Sequence, residues 1–141
     1  MQTFGRHFLM ELTGCNPDII GDLERVKQLM LEAAVRANAT VVTSAFHRFY
    51  PQGVSGVVVI EESHLSLHSW PEYGYVALDI YTCGEDTQPE QACEYLAQEF
   101  ESQEKATLSV ERGLPNPYGS YGYRINPAQS VVERRVLVAQ N

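Results

Sequence analysis

The stretch from Glu61 to Tyr75, Glu-Glu-Ser-His-Leu-Ser-Leu-His-Ser-Trp-Pro-Glu-Tyr-Gly-Tyr, gathers carboxylates, hydroxyls, two imidazoles and the chain's only tryptophan. Some twenty residues further on comes Thr82-Cys83-Gly84. Side chains of these types support three readings. The first is a metal site. His64-x-x-x-His68 would put two imidazoles on one face of a helix. On a strand the same pair shares a face but stands about 13 Å apart, too far for one ion. Further ligands from His7, His47 or Cys83 fall at no recognisable spacing, so no metal is expected. The second is a thiol hydrolase, with Cys83 as nucleophile and His68 or His64 as base. No local sequence signature accompanies it. The third is a hydrogen-bonded sheet edge whose histidines are satisfied rather than catalytic. Taken singly, each residue fits that reading best. Cys93, beside Ala92 and Leu96, and Cys15 read as inert thiols, Cys93 in the core.

The elements that must position these groups follow from periodicity. Thr3–Leu12 reads as a strand. Asn16 is an N-cap with Pro17 at the first helical position. Ile19, Leu23, Val26, Met30, Ala33 and Ala37 then recur at helical spacing, so one helix is expected to run to about Asn38, which ends it in a left-handed conformation. Thr40–Tyr50 and Val54–Glu61 form a hairpin about Pro51-Gln52-Gly53. Ser63–Ser69 is extended and Trp70–Gly74 interrupts it. In Tyr75–Thr82, Val76, Leu78 and Ile80 share one face, and Tyr75, Ala77, Asp79 and Tyr81 the other. Thr87-Gln88-Pro89-Glu90 has the form of a capping box, opening a helix that ends near Gln103. Lys105–Glu111 is another strand. Leu114–Arg124 reads as an irregular loop, and Val131–Ala139 as a weak last strand. The expected fold is one α+β domain over residues 1–141, a two-layer sandwich of mostly antiparallel sheet with two helices on one face and an irregular tail over 114–141. The bare face of such a sheet suggests a dimer.

Composition narrows the partners. With 141 residues, 44% hydrophobic and 20% charged, the chain is an ordinary globular domain rather than a disordered or fibrous one. Ten Lys+Arg against 18 Asp+Glu leave a net charge of −8, which repels nucleic acid and anionic membrane alike. No apolar run approaches the length of a membrane span, and the N-terminus has no signal-peptide pattern. Three cysteines make no disulfide framework, so a reducing cytoplasm is expected.

The chemistry-bearing residues also occur in a series. Glu62-Ser63-His64-Leu65, then His68-x-Trp70-Pro71-Glu72-Tyr73-Gly74-Tyr75, then Asp79-x-x-Thr82-Cys83-Gly84 resembles the prokaryotic S-adenosylmethionine decarboxylases. Gly5-Arg6-His7, Thr43-x-x-Phe46-His47-x-Phe49 and Gly53-Val54-Ser55-Gly56-Val57 extend the resemblance, which runs from about Phe4 to Glu111.

The resemblance implies a proenzyme that cuts itself between Glu62 and Ser63. The Ser63 hydroxyl attacks the preceding carbonyl, the resulting ester is lost by β-elimination, and Ser63 becomes a covalent pyruvoyl group, so no bound cofactor is required. His68 matches the processing base and Ser55 a supporting hydrogen-bond donor. The substrate amine would form a Schiff base with the pyruvoyl carbonyl, carbon dioxide would leave, and Cys83 matches the proton donor that quenches the carbanion. Glu11, Glu62 and Glu72 match acidic positions near the substrate, and Phe49 an aromatic position that stacks its adenine. The implied product is decarboxylated S-adenosylmethionine, an aminopropyl donor for spermidine. The same machinery directed at arginine or ornithine is one alternative. A processing-dead relative that binds a ligand or a partner chain is another. His7 and His47 read as structural.

The spacing of Ser63 and His68 bears on assembly. Five residues apart on a strand, they lie on opposite faces and roughly 16 Å apart. His68, with Ser55, Phe49 and Glu72, is therefore expected to reach the site from a partner subunit, in line with the family's dimers.

Overall fold

The computed structural model describes residues 2–134, with side chains through residue 126. In chain order the elements are β1 (Gly5–Thr13), α1 (Pro17–Ile20), α2 (Leu23–Arg36), β2 (Thr40–Arg48), β3 (Val54–Glu61), β4 (Ser63–Trp70), a 3-10 turn (Pro71–Tyr73), β5 (Tyr75–Cys83), α3 (Pro89–Glu99), β6 (Glu104–Pro115) and β7 (Tyr121–Arg134). The strands form one sheet in the order β2-β3-β4-β5-β1-β6-β7. Every neighbouring pair is antiparallel.

The two-residue period of the strands sorts their side chains. Phe8, Met10, Leu12, Val58, Ile60, Leu65, Leu67, Val76, Leu78 and Ile80 are buried together with Val26, Leu29, Met30 and Ala33 of α2, Ala92 and Leu96 of α3, and Phe100 just past α3. All helix packing is thus on one face, and the fold is the expected α+β sandwich. The opposite face, bearing His7, Leu9, Glu11, Ser55, His64, Ser66, His68, Tyr75 and Asp79, is covered by none of the helices.

Three local expectations are corrected. The single helix from Pro17 is two. The Asn16 side chain caps α1 through the Asp18 N–H at 2.9 Å. Gly21 then ends the turn, and Asp22, in extended backbone, caps α2 through the Arg25 N–H at 3.2 Å. A cap is worth about 1 kcal/mol, enough to restart a helix on a new axis. Asn38 does take the left-handed conformation, at φ 58°. The Thr87–Glu90 capping box does not form: α3 starts at Pro89 behind Gln88, and the Thr87 hydroxyl faces the Gly84 carbonyl at 3.5 Å.

The irregular stretch after Gly113 is instead a long hairpin. β6 continues to Pro115 and pairs with β7, whose last residues overlap the expected strand at Val131; residues 135–139 lie outside the described residues. The turn between them is closed by the Asn116 side chain, which accepts from Tyr118 N–H at 2.9 Å and Ser120 N–H at 3.1 Å.

Candidate functional site

β3 turns into β4 with only Glu61 and Glu62 between the paired Ile60 and Ser63. Two-residue hairpin loops favour glycine or asparagine, which accept positive φ. Here the loop is two glutamates, and it is Ser63 that takes the positive φ, at 104°. A non-glycine residue so placed stores on the order of 1–3 kcal/mol. The Glu62–Ser63 peptide therefore sits where this tight two-residue turn runs into β4. Breaking it would relieve strain and leave β3 and β4 still bonded along their ladder.

Across the ladder Ser63 pairs with Thr82, and Cys83 follows. Thr82 is 2% exposed, and its hydroxyl is the single buried side-chain polar atom without a hydrogen-bond partner among the described residues. Such orphans are uncommon and call for an explanation. Cys83 is half-buried and reduced. It opens onto a cleft of about 470 Å³ bordered by Gln2, Asn38, Glu61, Glu62 and Thr87. Glu85 and Asp86 also border the cleft, so its rim is strongly acidic. Gly5, directly opposite Cys83, leaves room for the sulfur. Burial first, and then the neighbouring Cys83 thiol, push the Tyr81 phenol above its ordinary range.

His64, next to Ser63, belongs to a network on the bare face. Its Nδ1 lies 3.3 Å from the Ser63 hydroxyl, and its Nε2 lies 2.8 Å from Asp79 Oδ2. The same carboxylate oxygen is 2.7 Å from His7 Nε2, and Ser66 donates to the other. Arg112 closes the network, donating to His7 Nδ1 at 3.2 Å. Burial pushes the Asp79 carboxyl up, but the hydrogen bonds from His7 and His64 outweigh it and hold the group below its usual range.

A second group lies toward the other end of the sheet. Ser55 and His68 are cross-strand partners, with Oγ and Nδ1 2.8 Å apart. Phe49 stands just past β2, its ring edge-on to His47 at 4.7 Å. Glu72 lies in the 3-10 turn and accepts from Gln52 at 3.3 Å, tying that turn to the β2–β3 turn. Glu11 accepts from the Tyr75 hydroxyl, whose pKa burial and then this carboxylate push to about 12; the Tyr75 ring stacks on Trp70 at 5.0 Å.

The structure thus brings Glu62, Ser63 and Cys83 together and holds Ser55, His68, Phe49, Glu72 and Glu11 apart from them. Five ladder steps separate Ser63 from His68, roughly 16 Å. The two histidines of His64-x-x-x-His68 take different partners, and neither is bonded to Cys83 among the described residues. The compact trio is His7, His64 and Asp79, whose ligating atoms lie within 4.8 Å of one another. His7 thus joins the Asp79 network across the β1–β5 pairing. Sequence spacing missed it because the β1–β5 pairing that sets it beside Asp79 spans more than seventy residues. No helix among the described residues is long and apolar enough to cross a membrane.

Comparison with known proteins bears on what this arrangement does. The sequence model of the S-adenosylmethionine decarboxylase family matches residues 6–113. The S-adenosylmethionine decarboxylase proenzyme of Pyrococcus horikoshii is 42% identical over 135 residues, spanning 96% of this chain and 97% of that one. The proenzyme of Thermodesulfovibrio yellowstonii is 49% identical over 114 residues, spanning 81% and 84%. Among solved structures, the adenosylmethionine decarboxylase of Aquifex aeolicus superposes with a TM-score of 0.72 at 33% identity, over 77% of this chain and 90% of that one. A Trypanosoma brucei enzyme, at 11% identity and a TM-score of 0.57 over 74% of this chain and 45% of that one, shares the fold.

Proposed function

The chain belongs to the S-adenosylmethionine decarboxylase family, and from that premise we propose that it is a self-cleaving decarboxylase that converts S-adenosylmethionine to its decarboxylated form, the aminopropyl donor for spermidine. The observation that carries this reading is the Glu62–Ser63 peptide, which is strained at Ser63 and whose Glu62 lines an acidic cleft together with Cys83. The residues present suit a pyruvoyl group made from Ser63. A serine hydroxyl adjoins the carbonyl to be attacked, a basic nitrogen lies within reach of it, and an unengaged Thr82 hydroxyl stands opposite.

A pyruvoyl carbonyl supplies the electron sink that an α-amino acid needs in order to lose carbon dioxide. The remaining chemistry belongs to the chain. Cys83 holds the proton to be delivered, as a thiol general acid. Glu61 and Glu62 at the cleft draw in a cationic substrate by charge. In the self-cleavage, His68 takes the Ser63 Cα proton during β-elimination, and Ser55 holds the imidazole in place through their 2.8 Å bond.

His68 and Ser63 of one chain are too far apart for that transfer, so the working unit is a homodimer whose bare sheet faces meet. Each partner then brings His68, Ser55, Phe49 and Glu72 to the other's Ser63. Phe49, exposed at the end of β2, supplies a ring for the adenine, and Glu72 and Glu11 supply charge. The free thiols of Cys15, Cys83 and Cys93 suit a reducing compartment such as the cytoplasm.

Intact-mass analysis of the purified protein tests this reading. Two species are expected, residues 1–62 and residues 63–141 with a keto group in place of the Ser63 amine, together with release of carbon dioxide from S-adenosylmethionine. An uncut chain after long incubation would overturn it. Faster release from arginine or ornithine would reassign the substrate and leave the machinery intact.

A further inference from the structure

The hydrogen-bond directions around Asp79 follow from what each group can donate. Arg112 only donates, so His7 Nδ1, 3.2 Å from it, must accept. A neutral His7 then carries its proton on Nε2 and gives it to Asp79 Oδ2 at 2.7 Å. The Asp79 carboxylate only accepts, so His64 also presents an Nε2–H, at 2.8 Å. In the neutral imidazole the lone pair of His64 is then on Nδ1, and the group facing it, at 3.3 Å, is the Ser63 hydroxyl. Ser63, His64 and Asp79 therefore form a hydroxyl–imidazole–carboxylate chain within one subunit. That is the arrangement by which a serine is activated as a nucleophile.

The two processing steps need different bases. Attack by Ser63 requires removal of the hydroxyl proton, and elimination requires removal of the Cα proton. His68 is five residues away on the same regular strand and bonded to Ser55, so it is not the group that faces the Ser63 hydroxyl within its own chain.

We propose that His64 is the base for the first step of self-cleavage, with Asp79, held in turn by His7 and Arg112, as the positioning residue that fixes its tautomer. The proposal rests on the self-cleaving reading above. In the step itself, the Ser63 Oγ proton passes to His64 Nδ1 as Oγ bonds to the Glu62 carbonyl carbon. The carbon–nitrogen bond of the Glu62–Ser63 peptide then breaks, and His64 returns the proton to the departing Ser63 nitrogen. An ester and a free amine replace the amide, with no other reactant. The 1–3 kcal/mol order of strain at Ser63 favours this direction.

The test follows cleavage in freshly translated chains, not decarboxylation. Wild type is included, so failure of the self-cleaving reading appears as an uncut wild type. His64→Gln keeps an N–H for Asp79 and removes the basic nitrogen facing Ser63. It is expected to cleave at least a hundredfold more slowly and to accumulate the intact amide, which hydroxylamine does not cut. His68→Ala is expected to stall later, as an ester that hydroxylamine cuts. Added imidazole should restore cleavage to His64→Gly. Asp79→Asn, which can leave His64 in the wrong tautomer, should slow the same first step. In co-expression, His64→Ala chains should stay uncut beside Ser63→Ala chains, because the base acts within its own subunit. Wild-type cleavage in His64→Gln, an ester rather than an amide accumulating there, or cleavage of His64→Ala chains in the mixture would each overturn the proposal.

Discussion

Gly5 stands opposite Cys83 across the β1–β5 ladder, and a Cβ at Gly5 would come within 2.8 Å of the Cys83 sulfur. The same atom would lie 2.7 Å from the Tyr81 ring and 2.9 Å from the Thr82 carbonyl. The ring and the sulfur can shift, but the carbonyl is fixed in the ladder. Gly5→Ala is therefore expected to displace Cys83 while leaving the Ser63 turn untouched. Self-cleavage should proceed, with kcat falling tenfold or more and stability falling by about 1–3 kcal/mol. Intact mass, steady-state kinetics and a melting curve together read the result. Unchanged kcat would mean that the placement of the sulfur is not critical.

The separation of Ser63 from His68 makes the shared site testable in the same terms. Neither Ser63→Ala nor His68→Ala chains alone can complete pyruvoyl formation. Co-expressed, they form hybrid dimers in which the His68→Ala chain carries an intact Ser63 and meets the partner's His68. Cleaved, keto-ended chains and decarboxylase activity are expected from the mixture. If the mixture stays inactive, the two groups of site residues do not meet across a dimer.

Much of this is legible in the sequence because strand parity is a strict constraint. A period of two places Val76, Leu78 and Ile80 on the core side and Asp79 and Tyr81 on the other. The same period, with the rise per residue, separates Ser63 from His68. The hairpin about Gly53 and the Asn16 cap rest on equally local rules. What could not be read is long-range or competitive. β1 lies between β5 and β6, and only that order brings His7 and Arg112 to Asp79. At Gly21-Asp22 helical periodicity runs on unbroken, yet a second capping side chain restarts the helix. After Gly113, prolines and glycines mimic a loop, while the Asn116 side chain closes them into a hairpin turn.

Asp79 should give stability a definite pH signature. Its folded-state pKa lies below the ordinary carboxylate value, since the bonds from His7 and His64 outweigh burial. A carboxyl lowered on folding stabilises fully above its unfolded pKa, about 4, and that contribution is lost as pH falls through the folded value. In the uncut Ser63→Ala background, Asp79→Asn should cost about 1–3 kcal/mol at pH 7. The gap between the two proteins should close in acid. Urea titrations from pH 7 to pH 3 measure it, and a pH-independent gap would show that the carboxylate charge contributes nothing.

Thr82 sets stability against function. Its hydroxyl is buried without a partner, opposite Ser63, and an unmet buried donor costs about 1–3 kcal/mol. Thr82→Val keeps the β-branched shape and removes the polar atom. In the Ser63→Ala background it should therefore raise stability, by about 1 kcal/mol. A hydroxyl kept at that cost beside a peptide that develops negative charge on its carbonyl oxygen is suited to donate there during attack. In the otherwise wild-type chain, the same change should then slow cleavage by tenfold or more. Stabilisation together with slower cleavage would identify the hydroxyl as a donor held for the transition state. Stabilisation with cleavage unchanged would leave Thr82 without a part in the processing chemistry.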